Sequence, residues 1–151
     1  LVLNPEFILA DEPVSALDVS IQAQVINLIK ELKGKFGLTF LLITHDMSVI
    51  EYLADRVAIM YLGEIVEIGK TSDIFSNPFH PYTKALLNSV PQMQSNKKSS
   101  KNVMKGDLPS PANPPKGCKF HTRCPYVMDK CKTCIPPEKG SSHKVKCFLF
   151  E

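Results

Sequence analysis

The sequence predicts an α/β fold built on a parallel sheet, with a small Cys-rich C-terminal extension. Two observations predict the sheet: short apolar strands alternate with helix-spaced segments, and acidic and imidazole side chains stand at the strand ends. A third predicts the extension, since all five cysteines lie between residues 118 and 147.

Phe7-Ile8-Leu9-Ala10 is an apolar run ending at Asp11-Glu12, the pattern of a buried parallel strand. Asp18 or Ser20 can cap a helix to about Lys35, whose Ile21, Val25, Leu28, Ile29, Leu32 and Phe36 follow helical spacing. Gly37 is a stop signal. Thr39 to Thr44 reads as a second buried strand and Met47 to Ala54 as a short helix. Arg56 to Leu62 is a third strand, expected in the same doubly wound sheet, and Gly63 turns it into a hairpin partner, Glu64 to Ile68. Short helices follow over Thr71–Phe75 and Pro81–Ser89, with Pro91 ending the second.

Composition changes further on. Residues 92–115 read as a linker, first rich in Ser and Lys and then in Pro, between a domain over 1–91 and a Cys-rich module over 116–151. Residues 1–91 carry 6 Lys/Arg against 11 Asp/Glu, and residues 92–151 carry 12 against 4. The basic part reads as a solvated tail; an anionic membrane surface or nucleic acid is the alternative. Hydrophobic residues make up 44% and charged residues 22%, the balance of a soluble, core-forming chain. No apolar stretch has the length of a membrane span, and no secretory signal is visible. The first residue is Leu1, not Met, which leads us to expect a piece of a longer protein.

The strand-end residues suggest phosphate chemistry. A carboxylate such as Asp11 can hold Mg²⁺ on a nucleotide's phosphates, and a second one, Glu12, can polarise an attacking water. Alone, the pair reads equally as a strand edge followed by a solvated acidic turn. Ser15-Ala16-Leu17-Asp18 follows at once, however, and Thr44-His45-Asp46 ends the next strand. In this order the three segments resemble the Walker B strand, D-loop and switch histidine of ABC transporter ATPases, a group of P-loop NTPases.

The resemblance implies that Asp11 binds Mg-ATP, that Glu12 and His45 are catalytic, and that Ser15 and Asp18 belong to a D-loop. Phe79-His80-Pro81-Tyr82-Thr83-Lys84 is similar to the His-Pro-Tyr segment of oligopeptide and dipeptide permease ATPases, as is the stretch from Val14 to Gln24. Locally, Pro81 reads as the first helical residue and Tyr82 as an aromatic anchor. What the resemblance implies is the C-terminal part of an ATP-hydrolysing motor, peripheral on the cytoplasmic face of the membrane. Its partners would be a second ATPase subunit, two transmembrane permease subunits and an external peptide-binding protein, with no nucleic acid. Nickel or another small solute is an alternative cargo, and a non-transport ABC ATPase or a metal-binding module on a degenerate ATPase remnant are alternative readings. These residues contain neither the Gly-x-x-x-x-Gly-Lys-Ser/Thr phosphate loop nor the Leu-Ser-Gly-Gly-Gln signature, so the chain alone is expected to be inactive.

A cytoplasmic ATPase argues against disulfides for Cys118, Cys124, Cys131, Cys134 and Cys147 and towards metal binding. The spacing Cys118-x₅-Cys124-x₆-Cys131-x₁₅-Cys147 is similar to the C-terminal region of peptide-permease ATPases, some of which carry a [4Fe–4S] cluster. Cys134 departs from that pattern and could join a Zn²⁺ site instead, and a metal-free segment remains the third reading. His121 and His143 read as surface residues or alternative ligands.

Overall fold

Strand-forming runs and capped helices take the positions their residues dictate. The computed structural model describes residues 5–89 and 107–151, which fall into two compact units, Leu1–Ala54 and Asp55–Glu151.

In the first unit, β1 (Phe7–Asp11) pairs in parallel with β2 (Thr39–Ile43), with Phe7 opposite Thr39 and Asp11 opposite Ile43. Between them runs α1 (Val19–Phe36). Asp18 caps it, its Oδ1 accepting from the backbone N–H of Ser20 and Ile21 at 3.1 and 3.0 Å, a contribution of about 1 kcal/mol. Gly37 ends it in the left-handed conformation, φ 62°, where a side chain would be strained. Asp46 caps α2 (Met47–Leu53) in the same way as Asp18.

Burial departs from the expectation for the two parallel strands. Phe7 and Leu9 of β1 are 56% and 59% exposed, and Leu41 and Ile43 of β2 about half. No residue of α1 is buried. A parallel sheet is stable with both faces covered, and two strands with α1 and α2 leave much of this surface open.

The second unit holds the other departure. β3 (Arg56–Tyr61) does not extend the parallel pair. It forms the expected hairpin with β4 (Glu64–Lys70), in an antiparallel sheet of order β3-β4-β6-β5. Alternating burial along β3, with Val57, Ile59 and Tyr61 inward, fits a sheet covered on one face. Then come α3 (Thr71–Ser76) and α4 (Pro81–Ser89), the latter with Pro81 at its first position as expected. Residues 116–151 supply α5 (Asp129–Thr133), β5 (Glu138–Lys139), β6 (Lys144–Lys146) and a closing 3₁₀ turn, Phe148–Phe150.

β6 pairs with β4, Val145 opposite Glu67, so the Cys-rich segment and the hairpin share one sheet. An aromatic cluster packs alongside: Phe120, 1% exposed, meets Tyr61 at 5.2 Å and Tyr82 at 5.5 Å between ring centres. Most of the expected linker, and Pro91, lie outside the described residues.

Candidate functional site

At the strand ends of the first unit two of the expected residues meet, Glu12 and His45. Asp11 is the last residue of β1, and the Glu12 N–H donates to the Ile43 carbonyl at 2.9 Å, one step beyond the paired residues. Glu12 itself turns into the left-handed region, φ 47°, which costs a residue with a side chain about 1–3 kcal/mol. Ser15 closes the turn, its N–H and Oγ both donating to the Glu12 carbonyl, at 3.3 and 3.0 Å. Beyond it the Glu12 carboxylate, Oε1, lies 2.9 Å from His45 Nδ1. Sequence spacing does not reveal this contact across 33 residues; the parallel register creates it.

His45 is 81% exposed at its side chain and Glu12 37%. The hydrogen bond that His45 donates to Glu12, helped by the carboxylate's negative charge, raises the imidazole pKa above its ordinary value. With Glu12 ionised, the carboxylate can only accept, so Nδ1 carries the shared proton. Asp46 braces the segment: besides capping α2 it accepts from Gln22 Nε2 of α1 at 3.2 Å, while its own N–H donates to Thr44 Oγ1. Asp18 acts here as the α1 cap. The arrangement presents a carboxylate in contact with a solvent-exposed imidazole, one residue beyond Asp11 at the end of β1.

In the second unit Cys118, Cys124, Cys131 and Cys147 line one small cavity together with His80 and Phe120. Cys118 is held by its N–H, which donates to the Cys131 carbonyl at 2.9 Å. The preceding Gly117 has φ 67°, and a Cβ there would stand 2.5 Å from that same carbonyl oxygen. Burial pushes the Cys118 thiol up to about 11, and the other three thiols add to the rise. Burial likewise raises Cys124 and Cys147. Cys134 is exposed, off the cavity, with its sulfur 3.6 Å from Thr133 Oγ1. Among the described residues no three of His, Cys, Asp and Glu converge as a ready site for a metal ion.

Glu67 was not singled out in the sequence, and His143 sits elsewhere than expected. Glu67, 1% exposed, accepts from the backbone N–H of Phe79 at 2.7 Å and of His80 at 2.9 Å. His143 Nε2 lies 2.7 Å from the same carboxylate, and its ring stacks on Phe79 at 4.0 Å. Thus His143 is no surface residue: its side chain is 11% exposed. An acid between Val66 and Ile68 was the available signal, because a buried carboxylate demands partners. His121 stays half-buried, with Nδ1 2.9 Å from the Cys118 carbonyl. His80 serves as the cap of α4, with Nδ1 accepting the Tyr82 N–H at 3.1 Å, and burial lowers its pKa to about 4.

Residues 66–131 match the family described as the oligopeptide/dipeptide transporter, C-terminal region. The chain is also 56% identical, over 99% of its own length, to the oligopeptide transport ATP-binding protein AppF of Bacillus subtilis. Over this stretch and along its whole length, the chain is similar to ATP-binding proteins of oligopeptide transport. The oligopeptide transport ATP-binding protein OppF of Salmonella typhimurium is 49% identical over the whole chain. The chain spans just under half the length of both relatives, 47% of the first and 46% of the second. Within the family match fall Glu67, His80 and three of the four cavity cysteines; His143 and Cys147 lie beyond it.

Proposed function

We propose that this chain supplies the hydrolytic edge of an ATP-driven motor that powers import of oligopeptides or dipeptides. The observation that carries the reading is the contact of Glu12 with His45 at the ends of two parallel strands. Functional groups gather at such strand ends in doubly wound sheets. Asp11 would hold Mg²⁺ on the nucleotide phosphates, and Glu12 would take a proton from the attacking water. His45, its proton shared with Glu12, would orient that carboxylate and donate to charge developing on the γ-phosphate. Ser15 ties its loop to the Glu12 backbone, so displacement of Ser15 by a second ATPase subunit would move the base.

The open faces of β1, β2 and α1 support a role inside a larger sheet, completed by residues carrying the phosphate loop. In the intact assembly the partners are a second ATPase subunit, two membrane-spanning permeases and an external binding protein. The subunit sits on the cytoplasmic face of the membrane; among the described residues no helix is long and apolar enough to cross it.

The cysteine cavity is the second element of the proposal. Zinc requires thiolates converging on one point at about 2.3 Å, an arrangement absent among the described residues. In a [4Fe–4S] cluster each cysteine binds a different iron, so four thiols around a cavity suit it better. Cys118, Cys124, Cys131 and Cys147 would hold the cluster, and Cys134 would not.

Cells lacking the gene test the transport reading. Restored uptake of a labelled peptide by the full-length protein, and not by its Glu12→Gln variant, is the expected result. Restored nickel uptake without peptide uptake would reassign the cargo.

A further inference from the structure

His80 sits where the α4 helix begins and where the cysteine cavity ends. Its carbonyl accepts the Lys84 N–H at 3.1 Å, the opening bond of the helix, and its Nδ1 accepts the Tyr82 N–H. A ring nitrogen that accepts carries no proton, so the neutral ring holds its hydrogen on Nε2. The tautomer is therefore set by the helix cap.

The other nitrogen has no such engagement. Among the described residues Nε2 makes no hydrogen bond to the protein, although the ring is only 1% exposed. Nor is it among the described side-chain atoms sealed without a partner, which are Tyr61 Oη, Thr83 Oγ1 and Arg123 Nε. His80 lines the cavity shared by Cys118, Cys124, Cys131 and Cys147, with Phe120 beside it at 5.6 Å between ring centres. A donor with a fixed tautomer, lining one cavity with four thiols among apolar walls, lacks only an acceptor. Such a bond strengthens in low-dielectric surroundings.

We propose that His80 Nε2–H donates a hydrogen bond to a sulfur of the cysteine-held group, making His80 a positioning residue that tunes its reduction potential. The inference rests on the cluster reading given above. An N–H···S bond withdraws charge from the sulfur and favours the more negative, reduced state, so it raises the potential. The same side chain then serves both ends: Nδ1 starts α4, and Nε2 addresses the cavity.

Two substitutions separate these roles. His80→Asn keeps an amide oxygen near Nδ1, able to cap Tyr82, and loses the reach of Nε2. His80→Gln places an amide N–H near the position of Nε2. The full-length protein and both variants are purified anaerobically, assayed for iron and acid-labile sulfide, and titrated electrochemically by the electron-paramagnetic resonance of the reduced cluster. The expected result is equal iron and sulfide in all three, a more negative midpoint in His80→Asn, and a midpoint returned towards wild type in His80→Gln. Loss of iron from the Asn variant alone also supports the donor role. An unchanged midpoint in His80→Asn, or loss of the cluster from both variants, overturns it. Wild-type protein without iron and sulfide fails at the earlier step and removes the cluster reading together with this one.

Discussion

Glu67 Oε1 lies 2.7 Å from His143 Nε2, joining β4 to the loop before β6 across 76 residues. The same carboxylate takes the Phe79 and His80 N–H groups, so one buried side chain fastens the hairpin, the start of α4 and the Cys-rich segment. Gly69 allows the close approach: a Cβ there would meet the His143 ring at 3.1 Å.

Glu67→Gln weakens three charge-assisted bonds and should destabilise the protein by about 1–3 kcal/mol. His143→Phe keeps the stacking on Phe79 and removes the carboxylate's side-chain partner. Urea unfolding of both single variants and the double variant should give a double loss smaller than the sum of the single losses, because the residues share one contact. Strict additivity would show that the pair is not coupled.

Gly117→Ala should loosen the cysteine cavity. The left-handed backbone alone costs a residue with a side chain about 1–2 kcal/mol, and the new Cβ would press on the Cys131 carbonyl. Alkylation of the cysteines by iodoacetamide should become faster in this variant. Unchanged rates for Cys118 and Cys131 would count against the packing described.

The His45 titration should report its carboxylate neighbour. The folded value is raised, so in the window just above the ordinary 6.5 the folded protein holds a proton that the unfolded chain has lost. The resulting stabilisation is complete below about 6.5 and fades as pH rises through the folded value. It is small, because the imidazole is largely solvated. In the full-length protein, proton NMR should place His45 above 6.5, with Glu12→Gln moving it back down. An identical titration in the two proteins would remove the contact.

The 151 residues alone should show no magnesium-dependent ATP turnover, since they lack a phosphate-binding glycine loop. Release of phosphate by this chain above a heat-inactivated control would contradict that.

Local signals carried much of the fold. Asp18 and Gly37 mark the ends of α1, Gly63 the β3–β4 turn and Pro81 the start of α4, because caps and turns are written in one or two residues. The strand-end site was legible as three motifs, though their meeting needed the β1–β2 register. Sheet membership was not legible: an apolar run such as Arg56 to Tyr61 serves a parallel or an antiparallel sheet equally, and β3 took the latter. Burial of β1 and β2 was overread, because burial belongs to whatever covers a strand and not to the strand. His143 reads as a surface residue or alternative ligand because its partner, Glu67, is 76 residues away in sequence.

The most direct measurement is the rate of ATP hydrolysis by the full-length protein with Glu12→Gln at saturating Mg-ATP. A general base contributes about 10²–10⁴-fold, so the variant should bind nucleotide while kcat falls by at least about a hundredfold. A variant that folds, binds ATP and turns it over at the wild-type rate would contradict the assignment of Glu12, and with it the hydrolytic role of the Glu12–His45 pair.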